Sequence, residues 1–131
     1  MSILINAEVT RVWEILTNVN QWPTWQNEIL KAELNSNLQV GSTFIWETGG
    51  VKIKSTLHTV HPNKQFGWTG KTIGVFAIHN WTFSEENGMT KVFVEESMEG
   101  FLARLFKKSF QKNLEKGMQV WLDLLKKECE S

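Results

Sequence analysis

The chain has no tyrosine, one cysteine and two prolines, and its 14 Lys and Arg balance 14 Asp and Glu. Each scarcity excludes something. A single cysteine, Cys129, cannot close an internal disulfide, and no CxxC or Cys/His cluster has the spacing of a metal site. That cysteine usage suits a reducing cytoplasm, with Cys129 read as a plain free thiol on a fraying terminus. Net neutrality removes the surplus of cations that a nucleic-acid binder needs against phosphates. No apolar run approaches the roughly 20 residues of a membrane span, and no basic segment followed by an apolar one marks a signal peptide. No Gly-x-Ser-x-Gly elbow, phosphate loop or Ser/His/Asp order occurs, so no cofactor is expected.

What the chain has in excess is tryptophan, 7 residues, with 8 phenylalanines in a length of 131. Such a length fits one domain, here 1–131, with a core that needs no staples. Tryptophan buries a large ring yet carries an N–H that wants a partner, so it often borders cavities. At least three of the seven are expected to line one.

Periodicity divides the chain in three. Ile3 to Ile5 reads as a short strand. Val9, Val12, Trp13 and Leu16 recur at helical spacing, which predicts a helix over 7–18 with Asn6 as its N-cap. Pro23 starts a second short helix near 23–27. Strands follow at 29–34, 43–48, 51–60, 65–71, 73–84 and 89–98. Gly49-Gly50 forms a hairpin turn and His61-Pro62-Asn63 another. The remainder, 101–128, has no proline and carries one broad stripe through Leu102, Leu105, Phe106, Phe110, Leu114, Met118, Trp121, Leu122 and Leu125. It predicts a single long helix, with Gly117 inside it as a mark of close packing or a kink. Consecutive strands with short loops make an antiparallel meander. The fold class is α+β: a curved six- to seven-stranded sheet wrapped around the C-terminal helix, with two short helices near the N-terminus.

Alternation then says what faces the enclosed space. On the fourth strand Val51, Ile53, Ser55, Leu57 and Thr59 share the inner face, and on the sixth Ile73, Val75, Ala77, His79, Trp81 and Phe83 do. On the last strand Val92, Val94, Glu96 and Met98 look inward. The turn at Asn87-Gly88 places His79 opposite or diagonal to Glu96. A titratable pair in an apolar wall is either a strand-to-strand tie or a polar anchor for a ligand. Ser55 is a hydroxyl on the same face, serving a ligand or its own backbone. Glu47 points to solvent, and His58 and His61 carry no assigned role. The basic run of Arg104, Lys107, Lys108 and Lys112 reads as the wet face of the helix, with docking on a membrane surface as the alternative.

These residues resemble a known group. Ile5-Asn6-Ala7, Val12-Trp13 and Trp22-Pro23-Thr24-Trp25 look like the opening segment of the START/Bet v 1-like superfamily, closest to its polyketide cyclase/dehydrase-like (SRPBCC) proteins. Gly41, Phe44, Trp46, Val60-His61-Pro62, Trp68-Thr69-Gly70, Gly74, His79 and Trp81 continue the similarity. Glu95-Glu96-Ser97, Gly100, Gly117 and Leu125-Lys126-Lys127 complete it over essentially the whole chain. The resemblance implies a helix-grip fold with a deep cavity for lipids, polyketides, hormones or other hydrophobic ligands, and no universal catalytic residues.

The first expectation is therefore a binding protein, monomeric or homodimeric, for a small hydrophobic or aromatic molecule. Trp25, Phe44, Trp46, Trp68, Trp81, Phe110, Met118 and Trp121 are its candidate walls, and Ser55, His79 and Glu96 its polar anchors. Two alternatives stand beside it. One is a metal-free cyclase or dehydratase with His79 as base and Glu96 orienting it. The other is a protein-interaction module like the chaperone-activating relatives, with a sealed interior and an exposed apolar patch.

Overall fold

In a computed structural model that describes residues 1–131, the alternating middle of the chain becomes sheet and its two ends become helix. The order is β1 (Ser2–Ile5), α1 (Val9–Thr17), a 3-10 turn at Val19–Gln21, α2 (Trp22–Trp25), β2 (Ile29–Leu34), β3 (Thr43–Thr48), β4 (Val51–His61), β5 (Gln65–Thr72), β6 (Val75–Glu86), β7 (Met89–Glu99), α3 (Phe101–Leu105) and α4 (Lys107–Glu130). All seven strands form one antiparallel sheet in the order β1-β7-β6-β5-β4-β3-β2. The meander is interrupted only by β1, which crosses to pair with β7. This is the expected α+β helix-grip architecture, with α4 held against the inner face of the sheet.

The core follows from the periodicities. Val9, Val12, Trp13 and Leu16 of α1 and Met118, Leu122, Leu125 and Cys129 of α4 are buried. They meet Phe44, Leu57, Phe66, Trp68, Trp81, Val92 and Val94 from alternate strand positions. Trp22 sits in the middle. Its ring centroid lies 5.4 Å from Phe44, 5.3 Å from Trp68 and 5.0 Å from Trp121, and its indole N–H donates to Leu16 O at 2.8 Å. Edge-to-face and tilted pairs of this kind add about 0.5–1.5 kcal/mol each beyond the area they bury.

Five expectations need correction. The first helix starts at Val9, with Glu8 rather than Asn6 at its N-cap. Ala7 cannot join it, because its carbonyl accepts from Thr90 Oγ1 and its N–H donates to Ile5 O. Ile73 is not an inward strand residue. Thr72 already pairs with Val75, so Ile73 and Gly74 form the turn, and Ile73 is 87% exposed. On β4 a bulge between Leu57 and Thr59 inverts the alternation. Val60 then packs on the core, while the Thr59 hydroxyl meets His58 Nδ1 at 2.8 Å.

The C-terminal helix is broken rather than continuous. Phe106 adopts φ −115 and ψ 40 between α3 and α4, and Leu105 and Phe106 turn outward, 71% and 52% exposed. The stripe from Leu102 to Leu125 therefore serves the core only from Phe110 onward, with Leu102 half-buried beside Gly74. Finally, the C-terminus is anchored, not frayed. Cys129 is buried, Arg11 Nε donates to Cys129 O at 2.8 Å, Lys126 Nζ donates to Leu4 O at 2.9 Å, and Asn6 N–H donates to Glu130 at 2.8 Å.

Candidate functional site

Between the sheet and α4 the interior divides into a closed half and an open one. The closed half is the aromatic core around Trp22. The open half is a cavity of about 560 Å³, reaching the surface between the Gly49 turn, the end of β5 and the first turns of α4. Trp46, Ile53, Val75, Ala77, Met98, Phe110, Leu114 and Trp121 make its apolar wall. Gln26, Thr48, His79, Glu96 and Asn113 supply polar atoms, and Glu28 and Lys71 stand at the rim.

Register puts the acid beside the base. His79 on β6 is paired with Glu96 on β7, and the alternation of both strands turns the two side chains inward. His79 Nδ1 lies 3.1 Å from Glu96 Oε2, with the two side chains 9% and 12% exposed. Nδ1 faces the carboxylate, which leaves Nε2 as the ring nitrogen without a protein partner. The imidazole is held from behind as well. It stacks on the Trp68 indole at 4.7 Å and 19°, and Trp46 meets it edge-on at 6.4 Å.

The eleven residues expected around one void divide between the two halves. Trp46, His79, Glu96, Phe110 and Trp121 border the cavity. Phe44, Ser55, Trp68, Trp81, Trp25 and Met118 are buried outside its lining. Two of the tryptophans border the void, fewer than the three expected, because Trp68 and Trp81 are packed into the wall behind His79. Ser55 is occupied: its hydroxyl accepts from Trp46 Nε1 at 3.0 Å and so fixes that indole against the cavity. Glu47 is half-buried rather than fully exposed.

Among the bordering residues that were not anticipated, three bear most on the site. Gln26 is 1% exposed at the end of α2. Its Oε1 accepts from Glu28 N–H at 2.9 Å, which leaves its NH2 group as a donor toward the cavity. Asn113 sits one turn before Gly117 on the same helix face, a spacing visible in the sequence but lost among polar neighbours. Gly117 itself lies on the cavity, and a Cβ built there meets nothing within 4 Å. The helix runs through it without a break. Close packing does not explain this glycine, since its Cβ position is open space beside the cavity.

Elsewhere three groups have displaced titrations, of which Glu130 is lowered, chiefly by its hydrogen bond with Lys126. Burial pushes the Cys129 thiol up to about 12. Burial also lowers His58, more than the nearby backbone of His79 and Trp68 raises it. No group of three or more His, Cys, Asp or Glu is arranged to hold a metal ion, and no helix is long and apolar enough to cross a membrane.

The sequence matches the family described as polyketide cyclase / dehydrase and lipid transport over residues 1–130. No curated protein matches it. Among solved structures, a hypothetical protein of Helicobacter pylori superposes with a TM-score of 0.86 at 17% identity, covering 98% of this chain and 85% of that one. The di-domain aromatase/cyclase BexL of the BE-7585A biosynthetic pathway gives 0.80 at 16% identity, covering 100% of this chain and 49% of that one. The chain thus spans about half of BexL's length. A START superfamily protein of Mycobacterium smegmatis gives 0.75 at 12% identity, covering 97% and 95%. At these identities the likeness is one of fold.

Proposed function

The chain belongs to the polyketide cyclase/dehydrase and lipid transport family, and from that premise we propose that it carries or senses a small hydrophobic or aromatic molecule in the cavity between its sheet and α4. Helix-grip proteins bind hydrophobic ligands or act as polyketide cyclases. The reading is of one ligand-binding domain over 1–131, working in the cytoplasm as a monomer or homodimer, with no cofactor.

The observation that carries it is Gly117. A glycine inside a helix costs about 1 kcal/mol relative to alanine. Here that cost returns no packing, since a Cβ would enter open space on the cavity wall. The cavity is within the roughly 300–1,000 Å³ of small-molecule sites. Its exposed wall surface is mostly apolar, and His79, Glu96 and Gln26 are among the polar groups on it. A flat aromatic guest with one hydroxyl fits that distribution: rings against Trp46, Phe110 and Trp121, and the hydroxyl donating to His79 Nε2.

Native mass spectrometry of the gently purified protein tests this. The expected result is a noncovalent adduct of a few hundred daltons, released by denaturation and absent from Gly117→Leu. A protein that is empty and also refuses every apolar aromatic compound offered to it contradicts the reading.

The His79–Glu96 geometry also supports a second reading, in which Nε2 removes a proton from a bound polyketide-like substrate and Glu96 holds the ring. Turnover of such a substrate, lost in His79→Ala and Glu96→Ala, separates catalysis from carriage. The interaction-module reading expects a sealed interior, and the cavity argues against it.

A further inference from the structure

The residues at the cavity rim continue into a surface of a different character. Ile73, at the tip of the β5–β6 turn, is 87% exposed, and Phe101 and Leu105 of α3 are 60% and 71% exposed. Phe106, at the break that follows, is 52% exposed. These positions are not scattered. Leu102 N–H donates to Gly74 O at 3.1 Å, and a Cβ at Gly74 would strike the side chains of Leu102 and Phe101. The turn and α3 therefore form one knob that carries large, mostly exposed apolar side chains.

Charge on this knob has one sign. Between Gly100 and Lys112 the chain has Arg104, Lys107, Lys108 and Lys112 and no acidic residue. All four cations are exposed. The flanking acids in sequence are Glu99 and Glu115. In a chain of zero net charge this is a local concentration, set around aliphatic and aromatic side chains that are each more than half exposed.

We propose that this knob docks the protein reversibly on an anionic phospholipid surface, with Ile73, Phe101, Leu105 and Phe106 inserting at the headgroup–acyl boundary and Arg104, Lys107 and Lys108 binding the phosphates. Bulky apolar side chains among lysines are the composition of interfacial anchors, which bury about 5–10 Å deep. Juxtaposed cations add attraction to an anionic leaflet that fades beyond a Debye length. A protein partner of matching size would need acids to face these cations, whereas a bilayer supplies both phosphate and hydrocarbon to a single tip. No helix of the chain is long and apolar enough to span a membrane, so the contact is peripheral.

The placement gives the docking a use that rests on the proposed ligand binding. Lys71, Thr72 and Val75, on either side of Ile73 and Gly74, border the cavity, as does Phe110, one turn into the helix after Phe106. A docked protein presents its cavity rim to the lipid, so an apolar guest passes between bilayer and cavity without crossing bulk water.

Vesicle co-sedimentation tests the docking itself. The full chain is mixed with vesicles of phosphatidylcholine alone, and of phosphatidylcholine containing about one-third phosphatidylglycerol. The expected result is binding to the anionic vesicles only, weakening as salt is raised. Lys107→Glu with Lys108→Glu should lower the partition coefficient by about fivefold or more per residue. Leu105→Ser with Phe106→Ser should abolish binding, with far-UV circular dichroism and melting unchanged because both side chains are already exposed. Ile73→Ser, on the other side of the knob, should weaken it in the same way. Equal partition into both vesicle types, no partition into either, or unaltered binding of the Leu105/Phe106 variant would each overturn the proposal. So would a concentration-dependent dimer that the same variant abolishes. Guest binding is measured separately in vesicle-free buffer, so its failure is distinguishable from a failure to dock.

Discussion

His79 Nδ1 and Glu96 Oε2 stand 3.1 Å apart on paired rungs of neighbouring strands, at the edge of a cavity rather than inside the packed core. A tie whose only role was to join β6 to β7 would gain nothing from that location, since the two strands already share a full ladder of backbone bonds.

If the pair anchors a guest, its loss should weaken binding more than folding. His79→Ala should lower the affinity for naphthol by about tenfold, the worth of one hydrogen bond of about 1.4 kcal/mol, while affinity for naphthalene stays the same. Glu96→Gln keeps an acceptor for Nδ1–H and should behave nearly as wild type in stability. Isothermal titration calorimetry and thermal melts on the three proteins check this. Unchanged naphthol affinity with a collapsed melting temperature in His79→Ala would make the pair structural.

Ser55 acts through Trp46. Ser55→Ala leaves the Trp46 N–H buried without its acceptor, at a cost of about 1–3 kcal/mol. Urea unfolding followed by tryptophan emission should show that loss. A Ser55→Thr variant retains the acceptor and should recover part of it.

Cys129 should be inert. With its thiol pushed up to about 12 by burial, almost none is thiolate at neutral pH, and the thiolate is the reactive form. Ellman's reagent should label the native protein only at the rate of unfolding, and label it at once in denaturant. Rapid labelling of the native protein would mean that the anchoring of the C-terminus by Arg11 and Lys126 is not maintained in solution.

His58 should make stability depend on pH. It lies over Gly67 on the outer face of the sheet, and its titration in the folded protein is lowered, chiefly by burial. The unfolded chain therefore binds a proton near the ordinary value of about 6.5 that the folded chain resists. Its stabilising contribution is complete above that pH and is lost as the pH falls through the folded value. Melting temperature should drop over this range more steeply in wild type than in His58→Asn. Parallel curves would exclude His58 as the source.

Much of this molecule is legible in its residues. Alternation gives β3 through β7, and the single turn at Asn87-Gly88 suffices to bring His79 to Glu96 across the sheet. What periodicity does not carry is the local event that shifts it. The bulge at His58–Thr59 exchanges Thr59 for Val60 on the core side, and no propensity in Leu57-His58-Thr59-Val60 announces it. The break at Phe106 is similar: 101–128 reads as one amphipathic helix, and only the docking of Leu102 against Gly74 turns the first segment aside. Aromatic count also overstates the void. Trp68 and Trp81 have the same alternation as a cavity-lining residue, but neighbouring rings fill the space in front of them. A void depends on what is missing from the facing helix, and the residue that records it is Gly117.

Gly117→Leu is therefore the most direct test of the central claim that this interior holds room for a guest. The substitution adds a side chain where a Cβ meets nothing within 4 Å, and it removes a helix-interior glycine, worth up to about 1 kcal/mol. Measured side by side with wild type, the variant should melt at the same or a higher temperature and bind naphthol with affinity too weak to detect by calorimetry. A variant that loses stability while keeping wild-type affinity would contradict the account.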